Sequence, residues 1–152
     1  MTGVQTCALP IYLYDQNRID EAKKILEGLY ADAVKNRATI NQAELLTELG
    51  AIENKKDEYK KANAYLMKAK SLLPKNSYSY VKFNFLYHLA HLEFNMGKNF
   101  AAIASLKTVL STKEIEQYED VKADMALLVG RIYLERGVLH DALKCFLDAV
   151  AI

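Results

Sequence analysis

Four alanines, Ala22, Ala62, Ala102 and Ala142, stand 40 residues apart along the chain. Four residues after each comes a large apolar side chain: Leu26, Leu66, Leu106 and Phe146. Three residues further on stand Leu29, Ala69, Val109 and Ala149. Spacings of four and three put these residues on one face of a helix. Five residues before each alanine lies a turn-forming or helix-capping type: Asn17, Asp57, Gly97 and Gly137. Upstream again come the pairs Leu49-Gly50, Leu89-Ala90 and Val129-Gly130, each preceded at three residues by Leu46, Leu86 or Ala126. Small residues recurring on both sides of a turn let two helices approach closely in an interior packed to crystal density. A fixed period of this length marks a repeat architecture.

The rest of the chain is compatible with stacked helices. Of 152 residues 51% are hydrophobic, and only 2 are proline and 6 glycine, so long helices meet few breakers. The net charge of +1 lacks the basic excess of a nucleic-acid binder. No stretch approaches the roughly 20 apolar residues of a membrane span. The two cysteines, Cys7 and Cys145, make neither a disulfide framework nor a zinc spacing.

Helices are expected near 19–35, 40–55, 58–73, 78–96, 99–110, 114–136 and 139–152. Thr39 with Gln42 and Ser111 with Glu114 read as capping boxes, and Asp57 as a side-chain cap. In NSYSYVKFNFLYH the aromatics Tyr78, Tyr80, Phe83, Phe85 and Tyr87 alternate in part like a strand. It is read as helix because the register of Leu86, Leu89 and Ala90 runs straight on from it. On the last helix Leu143, Phe146, Leu147, Val150 and Ile152 form an apolar face. A covering element, or self-association through this uncapped helix, is expected there.

The pattern resembles the tetratricopeptide repeat family, in a variant with a 40-residue period. Residues 43–76 carry the resemblance best, through Leu46, Leu49, Gly50, Tyr59, Ala62, Leu66, Ala69 and Pro74. There are departures: no tryptophan occurs, and Glu53 and Glu93 stand where the family prefers Tyr, which only Tyr133 supplies. The resemblance implies an all-α, right-handed superhelical solenoid of antiparallel helix hairpins. Residues 1–11, MTGVQTCALPI, are set apart because they resemble a translated sequencing adapter. Residues 12–152 then hold about three and a half repeats, and truncation at both ends is expected. Compartment, cytoplasmic or periplasmic, stays open.

The resemblance also implies a function, a non-catalytic scaffold that binds a protein or peptide in a concave groove lined by the first helix of each hairpin. The alternative is the sensory or regulatory segment of a larger bacterial signalling protein, a histidine kinase or a transcriptional regulator. The groove projects onto Thr47, Ala51, Asn54, Lys55, Tyr87, His91, Phe94, Asn95, Arg131 and Glu135. Some relatives grip a C-terminal carboxylate with lysines, asparagines and an arginine. Here Thr47, Ala51, Asp124 and Leu128 occupy those places, so that clamp is not expected. His88 and His91 share a helix face without an aligned third metal ligand. Cys145, beside Phe146, reads as a small core residue. No cofactor and no catalytic constellation is expected, and no phosphate loop or nucleophile motif occurs.

Overall fold

The computed structural model describes residues 10–150. The described residues form seven α-helices and no strand. They are α1 (Pro10–Lys35), α2 (Thr39–Lys55), α3 (Tyr59–Leu72), α4 (Tyr80–Asn95), α5 (Asn99–Leu110), α6 (Glu119–Glu135) and α7 (Leu139–Val150), with a 3-10 turn at Glu114–Gln117. Of the adapter-like segment, residues 1–9 lie outside the described residues, as does Ile152 of the expected apolar face. Helix α1 begins at Pro10 rather than near residue 19. Proline suits the first helical position because its missing N–H would be unpaired there anyway.

The links between helices repeat as closely as the alanines do. Asp57, Gly97 and Gly137 all sit in the left-handed backbone region, at φ 62°, 80° and 77°. Just after each, a backbone N–H reaches back to close the helix: Glu58 to the Glu53 carbonyl at 2.8 Å, Lys98 to Glu93 at 2.8 Å, and Val138 to Tyr133 at 2.9 Å. This is the Schellman closure, for which glycine is the least strained residue and aspartate a tolerated one. Arg37, at φ 55°, makes the same turn between α1 and α2.

The three expected caps are corrected by these turns. Asp57 is taken up by the left-handed position, and its carboxylate accepts a hydrogen bond from Tyr59 Oη at 3.2 Å instead of capping α3. Thr39 lies inside α2, whose cap position is Ala38, and Gln42 Nε2 donates across the turn to the Ala33 carbonyl at 3.2 Å. Ser111 ends α5, its hydroxyl donating to the Thr108 carbonyl at 2.7 Å. The helix expected from residue 114 is broken at Tyr118. That break buries Ile115 completely and sets the Tyr118 ring 5.7 Å from Phe83.

Each first helix packs on its own partner and on the first helix of the next pair. Helix α2 meets α1, α3 and α4; α4 meets α2, α3, α5 and α6; α6 meets α4, α5 and α7. Helix α4 therefore lies between two apolar clusters. Phe85 and Leu92 join Leu46, Ala62 and Leu66 on one side. Phe83 and Ala90 join Ala102, Leu106 and Met125 on the other. A helix buried on two sides carries apolar residues at adjacent odd positions, which is why its sequence alternates. Ser79 starts it, its hydroxyl accepting from the Lys82 N–H at 3.3 Å.

Three of the four spaced alanines, Ala62, Ala102 and Ala142, are buried, and Ala22 is half-buried. A Cβ added at Gly50 would lie 2.8 Å from Leu66 Cγ, and one at Gly130 would lie 2.6 Å from Phe146 Cε1. Paired helices thus touch across these glycines. Leu29 departs from its column: it is exposed, unlike Ala69, Val109 and Ala149. On α7, Leu143, Leu147 and Val150 are exposed and Phe146 is half-buried.

Candidate functional site

One face of α2, α4 and α6 carries the residues of the expected groove, joined across successive pairs. Asn95 Nδ2 on α4 donates to Asn54 Oδ1 on α2 at 2.8 Å. Asn54 Nδ2 lies 3.4 Å from His91 Nδ1, which accepts when the ring proton sits on Nε2. The His91 ring stacks on Tyr87, with centroids 6.1 Å apart. Arg131 on α6 stands over the Phe94 ring of α4 at 5.7 Å. Phe94, Asn95, Arg131 and Glu135 also line one shallow cavity of about 480 Å³, together with Leu134.

Lys55, Asn95, Arg131 and Glu135 are exposed, while Ala51, Tyr87, His91 and Phe94 are half-buried. Two expected groove residues are corrected. Thr47 is fully buried, its hydroxyl donating to the Ala43 carbonyl at 2.9 Å within its own helix. Asn54 is 3% exposed, and its amide is used in orienting His91 and Asn95. Of the expected residues on α2, only Ala51 and Lys55 reach solvent.

A second row on the same helices escaped the sequence reading. Asn84 Nδ2 donates to Glu48 Oε1 at 3.0 Å, and His88 Nε2 lies 4.0 Å from the same oxygen. Tyr80 Oη donates to Asp120 Oδ2 at 3.4 Å. The signal was present: Glu44, Asn84 and Asp124, like Ile40, Tyr80 and Asp120, stand at the same 40-residue steps.

Burial governs the titration of this face. It lowers the pKa of both His88 and His91, helped at His91 by Arg131 and His88 and opposed at His88 by Glu48 and Asp124. Burial, with the like charge of Asp120, raises Asp124, and burial raises Tyr87. Both imidazoles are therefore neutral in the fold at neutral pH. Unfolded histidines protonate near pH 6.5, so their share of stability is complete above about pH 6.5 and is lost as the pH falls below it. Asp124, raised in the fold, takes up its proton there first and opposes further loss at lower pH. Urea unfolding is expected to show lower stability at about pH 5.5 than at about pH 7.5, with a smaller difference in His88→Gln/His91→Gln. An unchanged pH dependence in that double variant would refute the assignment.

Among the described residues no group of three or more His, Cys, Asp or Glu could hold a metal ion. None of the described helices is long and apolar enough to cross a membrane. Cys145 is a half-buried free thiol, its pKa raised by burial and by Asp148. No protein-family model and no curated protein sequence matches the chain.

Proposed function

We propose that this chain is a tetratricopeptide-like array, a right-handed solenoid of antiparallel hairpins. It acts as a non-catalytic scaffold that holds a protein or peptide partner on the face of α2, α4 and α6. The observation that carries this reading is the continuity of that face. Side-chain contacts link residues 36 to 41 positions apart, from Glu48 to Asn84 and Asn54 to Asn95 between α2 and α4, and from Tyr80 to Asp120 between α4 and α6. One surface therefore joins three successive units instead of ending within one. Its outward residues suit recognition: Tyr87 and Phe94 are rigid aromatics, and Asn95 and Arg131 offer directional donors.

A random-peptide display library, panned against the intact chain, supplies the probe. Peptides selected on the wild-type chain should bind Tyr87→Ala and Arg131→Ala about tenfold more weakly, the loss of an ordinary hot spot. Circular dichroism should show both variants folded, and Lys144→Ala, far from this face, should bind like wild type. Selected peptides indifferent to both groove substitutions would remove the basis of the proposal. Unfolding by Arg131→Ala would make that residue structural.

A further inference from the structure

A cavity of about 750 Å³ opens on the side of α6 that faces α5 and α7. Its floor is Leu110, Ala126, Val129, Tyr133 and Cys145. One lining position is smaller here than in the other repeats. At the 40-residue equivalents of Ala126, α2 has Leu46 and α4 has Leu86, both packed against core clusters. With alanine in that place, the isobutyl group that would narrow the cavity is missing. The volume lies within the roughly 300–1,000 Å³ of small-molecule sites.

The rim charges are unequal from end to end. Lys122 Nζ is held 2.8 Å from both oxygens of Glu116. Lys107 lies over the Tyr133 ring at 5.1 Å and feels Asp141, so that end is internally balanced. Glu119 and Asp148 remain, against the single lysine Lys144. Helix α5 also ends at Leu110, and the carbonyl end of a helix carries partial negative charge. Because α6 and α7 reverse direction at Gly137, Asp148 lies toward the same end as Glu119.

We propose that this cavity binds a small amphiphilic ammonium ion. Its alkyl chain lies on Ala126, Val129 and Cys145, and its ammonium group lies toward Glu119 and Asp148. Cys145 provides the readout. In a Cys7→Ser chain it is the only thiol, since the sequence has 2 cysteines. Its alkylation by neutral iodoacetamide is followed with n-octylammonium, octanoate or neither present. Millimolar affinity, ordinary for so small a ligand, slows the reaction about sixfold at about 5 mM octylammonium, and octanoate leaves it unchanged. Ala126→Leu should abolish the protection with Tm equal or higher, because the leucine takes the part of the floor on which the alkyl chain lies. Glu119→Gln should reduce the protection in a folded chain. No protection by octylammonium, equal protection by octanoate, or full protection in Glu119→Gln would each overturn the proposal.

Discussion

Lys23→Met is expected to lower the stability of this chain by about 3 kcal/mol and Tm by about 6–12 °C. Lys23 on α1 places its ammonium 2.8 Å from Glu53 Oε1 on α2, and Glu53 is fully buried. The methionine fills similar space but leaves a carboxylate in the interior without its countercharge. Removing one partner of a buried pair costs about 3–5 kcal/mol. The lower end applies because a quarter of the Lys23 side chain stays in water, at 24% exposure. Lys23→Met/Glu53→Leu should return most of the loss, since two apolar groups need no pairing. Urea unfolding of the two variants decides the matter. A single variant within about 0.5 kcal/mol of wild type would mean the pair contributes nothing.

The same pair accounts for a departure noted in the sequence. Glu53, Glu93 and Tyr133 occupy equivalent positions, and each meets a lysine. Burial raises Glu93 while Lys98 and Lys70 oppose it, and Lys107 lies over the Tyr133 ring. A glutamate buried at Glu53 is tolerated because the preceding helix supplies the cation.

Gly50→Val should cost about 3 kcal/mol, and Gly130→Val distinctly less, about 1 kcal/mol. Both glycines sit where paired helices touch, but the obstacles differ. At Gly50 the new Cβ meets the branch point of Leu66 at 2.8 Å and the Ala62 carbonyl oxygen at 3.3 Å. Leu66 is fully buried, and the carbonyl belongs to α3, so neither can withdraw. At Gly130 the obstacle is the ring of the half-buried Phe146, which can swing outward. The helix propensity gained on replacing glycine by valine, about 0.3 kcal/mol, offsets little of each cost. Thermal melts that rank the two variants the other way would show that the α2–α3 contact at Gly50 is loose enough to admit a side chain.

Reading α4 as helix through an alternating stretch succeeded because the leucine register continued past it. The reason for the alternation, two clusters flanking one helix, involves residues on α2, α3, α5 and α6 and could not be read locally. The capping boxes failed for a related reason. Thr39 and Gln42 have the right spacing, but the Schellman turn at Arg37 had already set the chain's path into α2. Of the positions projected as surface, Lys55, Asn95, Arg131 and Glu135 are exposed and Ala51 and His91 half-buried, while Thr47 and Asn54 are buried.

Periodicity alone determined that the described residues are helical, the turns at Asp57, Gly97 and Gly137 and the small residues between paired helices, whereas Asn17, in the same column, lies inside α1 and the turn at Arg37 was not marked by it. These depend on local backbone chemistry and on spacing within one or two helical turns, which a linear text records. Tertiary packing decided which polar side chains face water. Asn54 is buried by residues 37 and 41 positions away, Glu53 by a lysine on the preceding helix, and the cavity beside Ala126 exists only because α5 and α7 wall it in. Burial and electrostatics sum over every neighbour in space, and most of those neighbours are distant in sequence.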